Sequence, residues 1–93
     1  MNRSMNDEEE LLTALKRLIL TACNRPDAPE TVDDDAPLVG PESPLGFDSL
    51  DVLQISVALS RQYNVRIEDS KEARRALRSI RSLARFLQSA GAV

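Results

Sequence analysis

Residues 43–63 read Ser43-Pro44-Leu45-Gly46-Phe47-Asp48-Ser49-Leu50-Asp51, then Val52-Leu53-Gln54-Ile55-Ser56-Val57-Ala58-Leu59-Ser60-Arg61-Gln62-Tyr63. The chain changes character in the middle of this stretch. Before Asp48 it is punctuated by proline and glycine, which cannot sustain a helix or a central strand. After it, Leu50, Leu53 and Val57, with Ile55 and Leu59, keep a helical spacing. Asp48 is a good N-cap, which puts Ser49 in the first turn of a helix over 49–63. Asn64 is a natural stop residue.

Upstream, all five prolines fall between Pro26 and Pro44. Residues 24–48 therefore read as one long loop, and loops of that length are functional or disordered. Val32, Leu38, Val39, Leu45 and Phe47 give it apolar anchors, so it is expected to lie across the helices. Asp33, Asp34 and Asp35 read as a solvated surface run, without the spaced ligands of a calcium loop. A first helix is predicted over 7–22, with Leu11, Leu15, Leu18 and Ala22 inward and Leu12 and Ile19 beside them. Asn6 is its expected cap, and Glu9 completes a capping-box spacing.

Downstream, Val65 and Ile67 read as two core anchors on an extended connector. A short helix is predicted over 69–77, capped by Asp69 or Ser70. A last one is predicted over 80–90, with Ile80, Leu83, Ala84, Leu87 and Ala90 inward. Ser79 is its candidate cap, and Gly91 its stop. The fold class is all-α: one domain over 1–93, a small four-helix bundle of three longer helices and a short third, with a long loop between the first two.

Composition narrows the function. The chain has 93 residues, no histidine and one cysteine, Cys23. No Ser-His or Cys-His nucleophilic pair and no histidine metal site can form, so a self-contained enzyme and a metal are not expected. Cys23 ends a core helix and reads as a small buried hydrophobe rather than a reactive thiol. No apolar run approaches the roughly 18 residues of a membrane span, and the acidic start does not read as a signal peptide. A cytoplasmic monomer is expected. Residues 1–70 hold 14 acids and 6 bases, whereas residues 71–93 hold 6 bases and 1 acid. The net charge of −3 and the acidic body argue against nucleic acid as partner.

A serine at the mouth of a long helix suits a phosphate, because the free amides and the dipole of a helix start favour an anion. Ser49 has no base beside it, so another protein has to modify it. Asp48 and Asp51 flank it as acidic docking points, and Leu50 faces outward as an apolar one. The bland rival is a serine that merely starts a helix.

The run Gly46-Phe47-Asp48-Ser49-Leu50-Asp51 resembles the Gly-x-Asp-Ser-Leu-Asp signature of the acyl carrier protein family, the phosphopantetheine-attachment domains. Pro37-Leu38, Ser43-Pro44-Leu45 and Val65-x-Ile67 are similar to the family too, and the resemblance covers roughly residues 7–90. It implies that Ser49 receives 4′-phosphopantetheine from coenzyme A by a separate magnesium-dependent phosphopantetheinyl transferase. The chain is then a phosphoprotein whose added thiol carries acyl groups as thioesters between enzymes of fatty-acid or polyketide biosynthesis. A ketosynthase and other acyl-processing enzymes are the implied partners. By the same resemblance Asp48, Leu50, Asp51 and Val57 match recognition positions. Leu53, Leu59, Ile67, Ile80 and Ala84 match the neighbourhood where an acyl chain is sheltered.

Three features depart from the common family pattern, the first being Ser60, Arg61 and Gln62 late in the second helix, where many members have acidic residues. Ser56 stands where an apolar residue is expected, which would narrow or wet an acyl space. Lys71, Arg74, Arg75, Arg78, Arg81 and Arg85 make the last two helices basic. The runs Asp69-Ser70-Lys71-Glu72-x-Arg74-Arg75 and Ser79-Ile80-Arg81-Ser82-Leu83 resemble a specialised branch serving secondary-lipid or polyene pathways. Arg74 and Arg75 then become candidate partner-selecting residues. The alternative is an unmodified helical interaction module whose arginine face docks an acidic surface.

Overall fold

A computed structural model describes residues 3–67 and 70–92. Among these residues four helices follow one another: α1 (Arg3–Ala22), α2 (Ser49–Tyr63), α3 (Ser70–Ala76) and α4 (Ile80–Ser89). A single 3₁₀ turn, Pro29–Thr31, interrupts the loop between α1 and α2. Among the described residues there is no strand, only an isolated parallel bridge between Val39 and Phe47. The architecture is the expected all-α bundle with a short third helix.

α1 starts at Arg3, before Asn6, so Asn6 and Glu9 are interior to it and do not form its cap. Its buried stripe is Leu12, Leu15, Ile19 and Leu20. Leu11, Leu18 and Ala22 are only half-buried, so the inward face is rotated from the expected one toward Leu12 and Ile19. The helix ends at Asn24, whose φ of 55° is left-handed. There the Arg25 amide donates to Leu20 O at 2.8 Å and the Asn24 amide to Thr21 O at 3.1 Å, the paired bonds of a Schellman ending.

α2 also ends on a left-handed asparagine, Asn64 at φ 56°, but with the single bond of an αL cap, its amide donating to Ser60 O at 3.0 Å. α3 begins at Ser70, which places Ser70 inside the helix; Asp69, the other expected cap, lies outside the described residues. Ser79 does cap α4, its Oγ accepting from the Ser82 amide at 3.1 Å. Gly91, at φ 72°, closes that helix one residue after Ala90.

α1 packs against both α2 and α4, and α3 packs on α4. Leu15 and Ile19 of α1, Ile55 and Leu59 of α2, and Ile80, Leu83 and Leu87 of α4 share the interior. The long loop joins that core through Val32, Leu38 and Phe47, all buried, and the connector after α2 through Val65. Burying these anchors is what holds a 25-residue loop on the bundle.

The Asp33–Asp35 run is not the merely solvated surface expected of it. Asp34 Oδ1 pairs with Lys16 Nζ of α1 at 2.6 Å. Asp35 Oδ1 accepts from Arg81 Nε of α4 at 2.7 Å. The Asp34 carbonyl accepts from the Arg81 amide at 2.9 Å, satisfying a first-turn N–H that α4 cannot satisfy itself. The loop is therefore clamped to two helices by charge as well as by apolar anchors.

Candidate functional site

The approach to α2 is fixed residue by residue. Ser43 Oγ donates to Leu38 O at 2.7 Å and accepts from the amides of Leu45, at 3.1 Å, and Gly46, at 3.0 Å. The Phe47 amide donates to Leu38 O at 3.3 Å. Gly46 takes φ +64° with open space around it, so the backbone, not crowding, is what calls for glycine. Phe47 is 1% exposed and anchors the chain in the core one residue before the cap.

Asp48 and Asp51 then cap the helix reciprocally. Asp48 Oδ1 accepts from the Asp51 amide and Asp51 Oδ2 accepts from the Asp48 amide, both at 3.0 Å. The hydrogen bond donated by the Asp51 amide, above all, holds the Asp48 carboxyl below the ordinary carboxylate value. Each carboxylate is thus tied to the backbone and still faces solvent or half-faces it.

Ser49 is the first residue of α2 and is exposed. No side-chain hydrogen bond holds its hydroxyl among the described residues. The hydroxyl is open to a visiting enzyme, and it stands at the positive end of a 15-residue helix. That arrangement fits a phosphodiester: an accessible oxygen, no competing partner, and a favourable field for the anion.

The outer face of α2 carries Leu50, Leu53 and Val57, which are 62%, 59% and 45% exposed. Spaced by three and four, they form one stripe running away from Ser49. Leu53 is a correction to the expected interior set. Ile55 and Leu59 define the buried face, and Leu53 projects from the opposite one. Leu59, Ile80 and Ala84 are buried in the common core, and Ile67 packs half-buried against that core. Ser56 does not leave a loose polar group there: its Oγ donates to Val52 O at 2.9 Å. Arg74 and Arg75 are exposed on α3, as is Arg78 just beyond it.

The sequence reading placed neither Cys23 nor Arg25 beside the site. Cys23 is half-buried, not fully buried, and its Sγ donates to Asp51 O at 3.7 Å. Burial first, and Asp51 next, push its thiol up to about 11, so at neutral pH it is protonated and inert. Arg25 reaches Leu45 O at 2.8 Å from twenty residues away. The only available signal was its place directly after a helix-ending Asn24, which is too weak to single it out.

A family model described as the phosphopantetheine attachment site matches residues 13–87. The chain belongs to that family. It is a carrier domain for 4′-phosphopantetheine and not itself a catalyst. Its partners are, in general terms, a transferase that attaches the group and enzymes that process what the group carries. No curated protein and no solved structure matches the chain. No helix among the carrier's described residues is long and apolar enough to cross a membrane.

Proposed function

We propose that the chain is an acyl carrier protein modified on Ser49 and serving fatty-acid or polyketide-type biosynthesis. The observation that carries this reading is the exposed, unpartnered Ser49 hydroxyl at the capped start of α2, within the matched span. In the modification, Ser49 Oγ bonds to phosphorus, the pyrophosphate bond of coenzyme A breaks, and adenosine 3′,5′-bisphosphate leaves. The hydroxyl proton passes to a base of the transferase, since the chain has no histidine and the flanking Asp48 and Asp51 carboxylates are engaged in the helix cap. Once attached, the group supplies a thiol that holds an acyl chain as a thioester.

The chain's own residues present and shelter. Asp48, Asp51 and the Leu50–Leu53–Val57 stripe offer a carboxylate-edged apolar face beside Ser49, suited to a partner with basic residues around an apolar contact. Leu59, Ile67, Ile80 and Ala84 are the side chains that an acyl chain entering the bundle would part. Arg74 and Arg75 add a second, basic surface, which favours a dedicated ketosynthase with acidic residues at the contact.

Intact-protein mass after incubation with coenzyme A, magnesium and a broad-specificity phosphopantetheinyl transferase tests the reading. One added phosphopantetheine, absent in Ser49→Ala, is expected. No addition to correctly folded protein overturns it and favours the unmodified interaction module.

A further inference from the structure

The long loop begins and ends beside Ser49, and one side chain joins its two ends. The Schellman ending at Asn24 turns the chain back, so Arg25 leaves α1 pointing at residues 45–47. Its Nη1 donates to Leu45 O at 2.8 Å. Its guanidinium carbon lies 5.5 Å from the centroid of the Phe47 ring. Its Nε pairs with Asp27 Oδ2 at 3.2 Å, which sets the orientation of the planar group.

These contacts fall on both sides of Gly46, the one residue of the approach that has left-handed backbone and no side chain. The amides of Leu45, Gly46 and Phe47 are held by Ser43 and Leu38. The Leu45 carbonyl accepts from Arg25 Nη1, and the Phe47 ring has Arg25 across its face. Two residues after Phe47 comes Ser49. We propose that Arg25 is a positioning residue for the modification of Ser49: by bridging Leu45 and Phe47 across Gly46 it fixes the direction in which the Asp48 cap and the Ser49 hydroxyl meet the transferase. The inference rests on the reading of Ser49 as the modified residue.

The task suits arginine in particular. A guanidinium donates along its edge while its face covers a ring, whereas a lysine ammonium is a point charge that cannot do both in this geometry. The contribution is one of orientation, and misplacement on the scale of 1 Å at a reacting group costs up to about a hundredfold in rate.

The test compares wild type with Arg25→Ala, Arg25→Lys and Arg25→Gln, with exposed Arg85→Ala as a control for lost charge. Two readouts are taken on folded protein: kcat and KM for phosphopantetheine transfer, and the amide resonances of Asp48–Asp51. Arg25→Ala is expected to lower kcat/KM by about tenfold and to shift the Asp48 and Ser49 amides. Arg25→Lys should recover part of both, and Arg85→Ala should change neither. If Arg25→Ala does not fold, Arg25→Gln, which keeps an edge donor but loses the face, decides by the same two readouts. Wild-type kcat/KM with unmoved amides in the folded variants overturns the proposal. A wild-type chain that takes no group at all fails the Ser49 reading instead, and Ser49→Ala separates the two failures.

Discussion

Arg81 Nε donates to Asp35 Oδ1 at 2.7 Å, joining α4 to a loop residue 46 positions earlier. The same guanidinium lies 3.8 Å from Asp34 Oδ2 and 3.6 Å from Glu8 Oε1 of α1. Three elements therefore converge on one cation, and Lys16 adds a second beside Asp34. The side chain of Arg81 is 35% exposed, so dissolved ions reach the pairs and screen them. Arg81→Met is expected to lower the urea midpoint clearly at low ionic strength and progressively less as salt is added. A gap independent of salt would assign the effect to packing rather than to charge.

The reciprocal cap of Asp48 and Asp51 makes the helix start sensitive to acid. The Asp48 carboxyl titrates below its ordinary 3.8 in the folded chain because the Asp51 amide, above all, stabilises its charged form. A folded value below the unfolded one means stability that is complete above the unfolded value and lost as pH falls through the folded one. Thermal midpoints measured from neutral pH downward should therefore hold until about pH 4 and then fall. Asp48→Asn should be less stable at neutral pH and should lose part of that acid dependence. Identical pH profiles for the two proteins would remove the cap from the account.

What the sequence disclosed and what it concealed follow from distance along the chain. The Asp48 cap, the Asn64 stop and the Ser79 cap depend on neighbours three or four residues away, and each was legible. The face of α2 was legible only in part: Leu53 and Leu59 both fit a helical apolar pattern, and only the packing of α1 decides which side is inside. The Arg81–Asp35 and Arg25–Leu45 contacts span 46 and 20 residues, and no local pattern announces them. A run of three aspartates looks the same whether water or two helices complete it. Asp51 was marked as a docking acid, but its return bond to the Asp48 amide was missed because capping boxes usually use the longer Glu or Gln.

Leu53 and Leu59 supply a paired test of the α2 register. Leu59 is fully buried, whereas Leu53 is 59% exposed. Leu59→Ala removes buried methyl groups and leaves a cavity, a loss of about 2–5 kcal/mol in unfolding free energy. Leu53→Ala should stay within about 0.5 kcal/mol of wild type and act instead on the exposed stripe. Urea denaturation of both variants checks this, and comparable losses would mean that the helix is rotated from its described position.

Cys23 offers a chemical probe of the same region. Its thiol is pushed from 9.0 to about 11, so on the order of a hundredfold less thiolate is available near pH 8 than for an unperturbed thiol. Alkylation by iodoacetamide should accordingly be slow in the folded chain and fast in urea. The folded value lies above the unfolded one, so the associated stability is complete below pH 9 and declines as pH rises toward 11. Labelling of the folded chain at the rate of a free peptide thiol would show that the burial of Cys23 and its contact with Asp51 are not kept in solution.

The proposed role of Arg74 and Arg75 in partner choice gives a further test. They lie exposed on the last turn of α3, on a molecule whose first seventy residues are strongly acidic. Charges at the edge of a contact act on encounter and on discrimination between partners more than on tightness. Replacing both with glutamate should leave the helix content unchanged and raise the KM of a ketosynthase for the loaded carrier by about tenfold, with little change in kcat. The effect should shrink as salt rises, because a partner's acidic residues are then screened from either sign of charge. A KM that ignores the double reversal would assign recognition to the Leu50–Leu53–Val57 face alone.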